Sequence, residues 1–163
     1  MLQAFTDCCP PVNKMRAVVQ TVEDCSLEIR GKTLFKDVSG LLIYLGIAHG
    51  DTIADMEYIA GKCVNMRIFK DGEDKMNLSP IDVSASLIVI SQFTLYGDVR
   101  KGRRPSFNDA APPEEASGMY EAFLGELVKT GAKVYCGEFR AEMNVSYTNS
   151  GPVTILVDSK RQF

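Results

Sequence analysis

Three stretches of this chain hold groups that could do chemistry. Asn149-Ser150-Gly151-Pro152-Val153-Thr154 is the first. Gly151 can take φ > 0 without a Cβ clash, and an X-Pro bond can be cis at a cost of about 0.5–1 kcal/mol. The β-branched run Val153–Val157 follows at once, so this turn opens directly onto a strand. Its free C=O and N–H groups would point outward and could grip a small polar ligand. A plain turn before a strand is the alternative on these six residues alone. Ser91-Gln92-Phe93-Thr94-Leu95 is the second stretch and ends the apolar run Leu87–Ile90. Hydrogen-bonding side chains at the end of a buried strand are costly unless they meet partners or a ligand. They could equally cap the strand and satisfy neighbouring backbone. Arg100-Lys101-Gly102-Arg103-Arg104 is the third, with four cations in five residues of a chain whose net charge is −3. Such a patch suits phosphates, or is a solvated loop. No aromatic residue interleaves it, so backbone contact is implied and base stacking is not.

The rest of the composition narrows the chemistry. His49 is the only histidine, which excludes a His-rich metal site. It sits in Gly46–Asp51 and reads as a loop residue at a strand-to-helix turn. The five cysteines, Cys8, Cys9, Cys25, Cys63 and Cys136, show no C-x-x-C spacing and suit idle thiols in a reducing cytoplasm. No metal and no cofactor is therefore expected. With 163 residues, 45% hydrophobic and 24% charged, the chain is long enough for one domain with a real core. The apolar runs are too short to span a bilayer, and the first residues lack the features of a secretory signal.

Elements must position these stretches. Residues 1–14 are aperiodic and read as a flexible N-terminal extension to a single domain over 15–163. Arg16–Val22, Ser26–Ile29, Thr33–Val38 and Leu41–Ala48 read as strands. A helix starts at Thr52, with Asp55 completing a capping box, and presents Ile53, Met56, Ala60 and Cys63 on one face. Arg67–Phe69 reads as a short strand, and Leu87–Phe93 as an extended one. A second helix starts near Pro112-Pro113 and carries an apolar stripe from Ala116 to Leu127 before Gly131 stops it. Strands at Lys133–Gly137 and Met143–Tyr147 precede the Gly-Pro turn and the last strand. The sum is an α/β (α+β) domain whose largely antiparallel sheet closes or packs over two helices.

Taken together, Ser91–Leu95, Lys101-Gly102-Arg103-Arg104-Pro105-Ser106-Phe107 and Asn149–Thr154 resemble the D-aminoacyl-tRNA deacylases, first described as D-tyrosyl-tRNA deacylase. The similarity runs from Met15-Arg16-Ala17-Val18-Val19-Gln20 to Val157-Asp158-Ser159. It implies a homodimeric, barrel-like fold that hydrolyses the ester between a D-amino acid and the 3′-terminal adenosine of tRNA, with glycyl-tRNA also accepted. It implies a Gly151-Pro152 turn that enters the other subunit's pocket and excludes L-residues with its main chain. The implied pocket comprises Ser91, Gln92, Phe93, Thr94, Ala116, Phe139, Met143, Gly151 and Pro152. Within it, N–H groups around Phe93 and Thr94 are candidates for holding the oxyanion. Thr94 is one possible nucleophile; water aided by the tRNA's terminal 2′-hydroxyl is the other and needs no protein base. Arg100, Lys101, Arg103 and Arg104 would bind the acceptor stem.

Three positions depart from the family pattern. Thr21 replaces an arginine that helps fix the Gly-Pro turn, and Arg140, in place of glycine, is a candidate to supply that cation. Ser150 replaces a common aspartate, with no consequence expected. Ser91 and Val153 argue against the related vertebrate-type branch. A tRNA- or nucleic-acid-binding dimer without turnover is the alternative that Thr21 raises.

Overall fold

A computed structural model describes residues 14–162. The extension and the Cys8-Cys9 pair lie outside the described residues, Lys14 excepted.

Five strands form one sheet in the order β6-β5-β2-β1-β7. β1 (Arg16–Ile29) and β2 (Lys32–Gly46) make a long hairpin, and β7 (Met143–Asp158) pairs antiparallel with the other side of β1. β5 (Ser86–Ser91) and β6 (Val134–Cys136) add parallel pairings beyond β2. Antiparallel ladders therefore predominate, as the strand run in the first third implies. A small antiparallel pair, β3 (Phe69–Lys70) with β4 (Met76–Leu78), stands apart. It begins two residues later than the strand read at Arg67–Phe69.

The side-chain alternation of the strands sorts the apolar residues into two cores. Leu41, Ile43 and Leu45 of β2, with Leu87 and Val89 of β5, face α1 (Ile53–Asn65) and α2 (Pro113–Lys129). Leu42, Ile88 and Ile90 face the other way, into a second core shared with Leu27, Val38 and the β7 residues Met143, Val145 and Tyr147. That second core gives the curled sheet its barrel-like interior. Thr52 caps α1 with the reciprocal Asp55 contacts that the sequence pattern implies. Within the described residues no helix is long and apolar enough to cross a membrane.

Strands read as separate are joined at three places. The strands read as separate at Arg16–Val22 and Ser26–Ile29 are one, bent by a register shift at Val22–Cys25 where Asp24 takes φ 54. The two segments of β2 join likewise, with Asp37 at φ 54 and Gly40 at φ 153. Gly40 crosses so close to β5 that an added Cβ would lie 2.1 Å from the Ser86 carbonyl oxygen. The Gly-Pro segment is an outward bulge inside β7, not a turn between two strands. Asn149 pairs with Val22 and Thr154 with Gln20, so β1's ladder continues on both sides of it.

Candidate active site

β5 ends at Ser91, and the chain does not stay extended to Phe93. Gln92 N–H donates to Leu45 O at 2.7 Å, and Phe93–Tyr96 coil into one 3₁₀ turn. Its first closing hydrogen bond is Leu95 N–H to Gln92 O at 3.3 Å. The N–H groups of Phe93 and Thr94 precede that bond and are unclaimed by the turn. Two side chains hold the turn against the sheet. Arg16 Nη1 donates to Leu95 O at 2.9 Å and its guanidinium lies 5.0 Å over the Tyr96 ring. Tyr96 OH donates to Gly46 O at 2.9 Å and also meets Lys14 O. Gly46 is needed here, because an added Cβ would stand 2.9 Å from Tyr96 Cε2 and 3.3 Å from Gln92 O.

Beside this turn opens a cavity of about 680 Å³, bounded by the end of β5, the start of α2, the loop after β6 and the start of β7. Ser91, Gln92, Phe93, Ala116, Phe139 and Met143 line it, six of the nine residues implied for the pocket. Thr94 is the neighbour of that lining; its hydroxyl receives Gln92 Nε2. Phe93 is exposed and stacks edge-on against Phe107 at 5.1 Å between ring centres. Phe139 is held 5.9 Å from the Tyr120 ring, whose OH is anchored on Val89 O at 2.9 Å. Arg140 also lines the cavity and is the one ionisable side chain among the described residues that do so. No histidine, lysine or carboxylate of that lining can therefore deprotonate Thr94. His49 stands 3.1 Å from Glu115, and neither lines the cavity.

Gly151 and Pro152, the other implied pocket residues, do not line this cavity; both are exposed at the tip of the β7 bulge. The Gly151-Pro152 bond is cis and Gly151 takes φ 118. Groups of β1, none of them a cation, hold the bulge from below. Buried Thr21 donates its hydroxyl to Ser150 O at 2.5 Å. The Asn149 amide turns its nitrogen to the Thr21 and Val153 carbonyls, 3.1 Å each, and its oxygen to Gln20 Nε2 at 3.0 Å. Gln20 Oε1 in turn accepts from Tyr147 OH at 2.8 Å. Ser150 OH donates to Glu23 Oε1 at 2.9 Å, which an aspartate could not do, so this replacement does have a consequence. Among the described residues of this chain, Thr21 makes the contact to the Gly-Pro segment for which Arg140 is a candidate in the sequence reading.

The basic loop leaves the cavity wall at Phe107. An antiparallel bridge, Asp98 with Ser106, pinches its base at 2.8 and 2.9 Å. All four cations are exposed, but Arg100 forks onto Asp98 at 2.8 and 2.9 Å and holds that carboxyl well below the usual carboxylate range. Lys101, Arg103 and Arg104 make no ion pair among the described residues.

A family model described as D-Tyr-tRNA(Tyr) deacylase matches residues 18–158. The chain belongs to that deacylase family. It is 50% identical over 149 residues to the D-aminoacyl-tRNA deacylase of Thermosipho africanus (strain TCF52B), covering 91% of this chain and all of that one. It is 51% identical over the same length to that of Halothermothrix orenii. Among solved structures, the "c-Myc DNA Unwinding Element Binding Protein" superposes with a TM-score of 0.82 at 37% identity, covering 87% of this chain and 97% of that one. A probable eukaryotic D-amino acid tRNA deacylase has a TM-score of 0.75 at 18% identity, which shows the shared fold.

In this deacylase the family motifs locate the 3₁₀ turn and the bulge, but several groups around them carry no local signal. Tyr96 and Arg16 are remote from each other in sequence, and only the sheet brings them together. Phe107 belongs to the matching stretch, yet its place against Phe93 is a tertiary contact. Its position at the foot of a basic loop beside an aromatic-containing motif is the nearest thing to a sequence clue.

Proposed function

We propose that this chain hydrolyses D-aminoacyl-tRNA to the free D-amino acid and tRNA, a proofreading step of translation in the cytoplasm. The observation that supports it most is a cavity without an acid–base side chain, opening beside unclaimed backbone donors. A site lined by no carboxylate, lysine or histidine is poorly suited to side-chain acid–base chemistry and well suited to stabilising an oxyanion. In this reading the ester carbonyl oxygen lies against the N–H groups of Phe93 and Thr94. Water attacks the acyl carbon with help from the terminal 2′-hydroxyl, the bond from that carbon to the ribose oxygen breaks, and a proton passes to the ribose oxygen. Thr94 receives a hydrogen bond from Gln92 and has no adjacent base, which supports a positioning role over a nucleophilic one.

Gly151 and Pro152 select the D-enantiomer from a second copy of the chain. Their exposure and their absence from the cavity of their own protomer support a homodimer in which each corner enters the other subunit's cavity. The main-chain carbonyls there receive the α-amino group, and an L side chain meets backbone; glycine has none to clash. Lys101, Arg103 and Arg104, with Arg100 shared with Asp98, hold the acceptor-stem phosphates.

A purified sample incubated with D-tyrosyl-tRNA and L-tyrosyl-tRNA tests this. Release from the D-ester alone is the expected result. Retained tRNA binding with no release from either would instead favour a nucleic-acid-binding dimer, a reading that the exposed basic loop also supports.

A further inference from the structure

Among the described residues, Arg140 is the one charged side chain in a cavity whose other lining residues are neutral. It is exposed on the loop after β6 and lines the cavity mouth with Phe139 and Ala141. Its guanidinium forms no ion pair or hydrogen bond with a described residue. The neighbouring carboxylate of Glu138 lies toward Arg30 at 4.0 Å instead. Arg140 also takes φ 63, where a β-carbon is disfavoured and glycine is at ease. A long cation thus occupies a backbone position that suits glycine, with no described residue of its own chain to neutralise it.

We infer that Arg140 is an anion-binding residue of this cavity, and that its ligand is the phosphodiester on the 5′ side of the acylated terminal nucleoside. The inference rests on the deacylase reading. In an aminoacyl ester the amino acid's carboxylate is tied up, so it offers the pocket no charge. The nearest anion present in every such substrate, whatever its side chain, is that phosphate. A volume of about 680 Å³ is within the range of pockets that enclose molecules of nucleoside size. Planar guanidinium donors match phosphate oxygens two at a time. The basic loop joins the same cavity at Phe107, so the charge along the nucleic acid would continue from the stem to the last phosphate.

The test uses two non-hydrolysable ligands, 3′-deoxy-3′-(D-tyrosylamino)adenosine and its 5′-phosphate, titrated calorimetrically into the intact protein. The wild type should bind the phosphorylated ligand roughly tenfold or more tightly, the size of one charge-assisted contact. Arg140→Gly and Arg140→Gln should abolish that preference and leave the unphosphorylated affinity unchanged. Arg140→Gly relieves the left-handed backbone, so a folding defect is not expected from it. A phosphate preference that survives in both variants overturns the assignment. Equal binding of both ligands by the wild type removes the Arg140 role and leaves the deacylase reading standing; binding of neither removes both.

Discussion

Replacing Thr21 with valine isolates the support under the Gly-Pro corner. The side chain is buried and its hydroxyl donates to Ser150 O at 2.5 Å, across 129 positions of sequence. Valine keeps the branched shape that a strand favours and deletes only the donor. One hydrogen bond of this kind is worth about 1 kcal/mol net, and rather more where the abandoned carbonyl finds no water. For a domain of this size that corresponds to a fall in Tm of roughly 2–4 °C. The effect on selectivity follows from the same figure. Weakening the corner by about 1 kcal/mol multiplies the share of displaced corners roughly fivefold. Deacylation of D-tyrosyl-tRNA and L-tyrosyl-tRNA should be followed side by side, with Thr21→Ser as the variant that restores the hydroxyl. The expected outcome is a lower kcat/KM on the D-ester, measurable leakage on the L-ester, and recovery of both with serine. Wild-type Tm and wild-type discrimination in Thr21→Val would refute the idea that this hydroxyl fixes the corner.

Gly46→Ala should lower deacylation while leaving the sheet intact. Its Cβ would sit 2.9 Å from Tyr96 Cε2 and 3.3 Å from Gln92 O, an overpacking worth about 1–3 kcal/mol that displaces the 3₁₀ turn; rates on the D-ester and a melting curve read the two effects separately. Asp51 gives the fold a pH dependence: burial pushes its carboxyl up to about 6, against the Ala48 N–H bond at 2.7 Å, and its Oδ1 is buried without a partner. A raised folded pKa means the native state binds the extra proton, so its contribution to stability should rise as pH falls from about 7 to 4, by on the order of 2 kcal/mol, and urea titrations should show this flattened in Asp51→Asn.

The parts legible in the sequence are those whose physics is local. Thr52 and Asp55 are three residues apart, so their reciprocal capping bonds, including Asp55 N–H to Thr52 Oγ1 at 3.3 Å, are implied by spacing alone. Pro112-Pro113 and Gly131 bracket α2 for the same reason. The strand boundaries failed where the deciding partner lies far away. Asp24 and Gly40 look like strand breakers, yet the β1–β2 ladder continues past each. The Gly-Pro segment looks like a turn between strands for want of knowing that Gln20 and Val22 hold both its ends. The support of the site follows the same rule. Motif resemblance identifies the corner, but the groups beneath it, Thr21, Gln20 and Glu23, come from a strand more than 120 residues earlier. Thr21 is neutral where the family pattern uses a cation, and nothing in the motif itself signals the exchange. The Thr21 hydroxyl can meet the demand that an arginine would, because the Ser150 carbonyl needs a donor and not a charge, while the Glu23 carboxylate, which only accepts, receives the Ser150 hydroxyl.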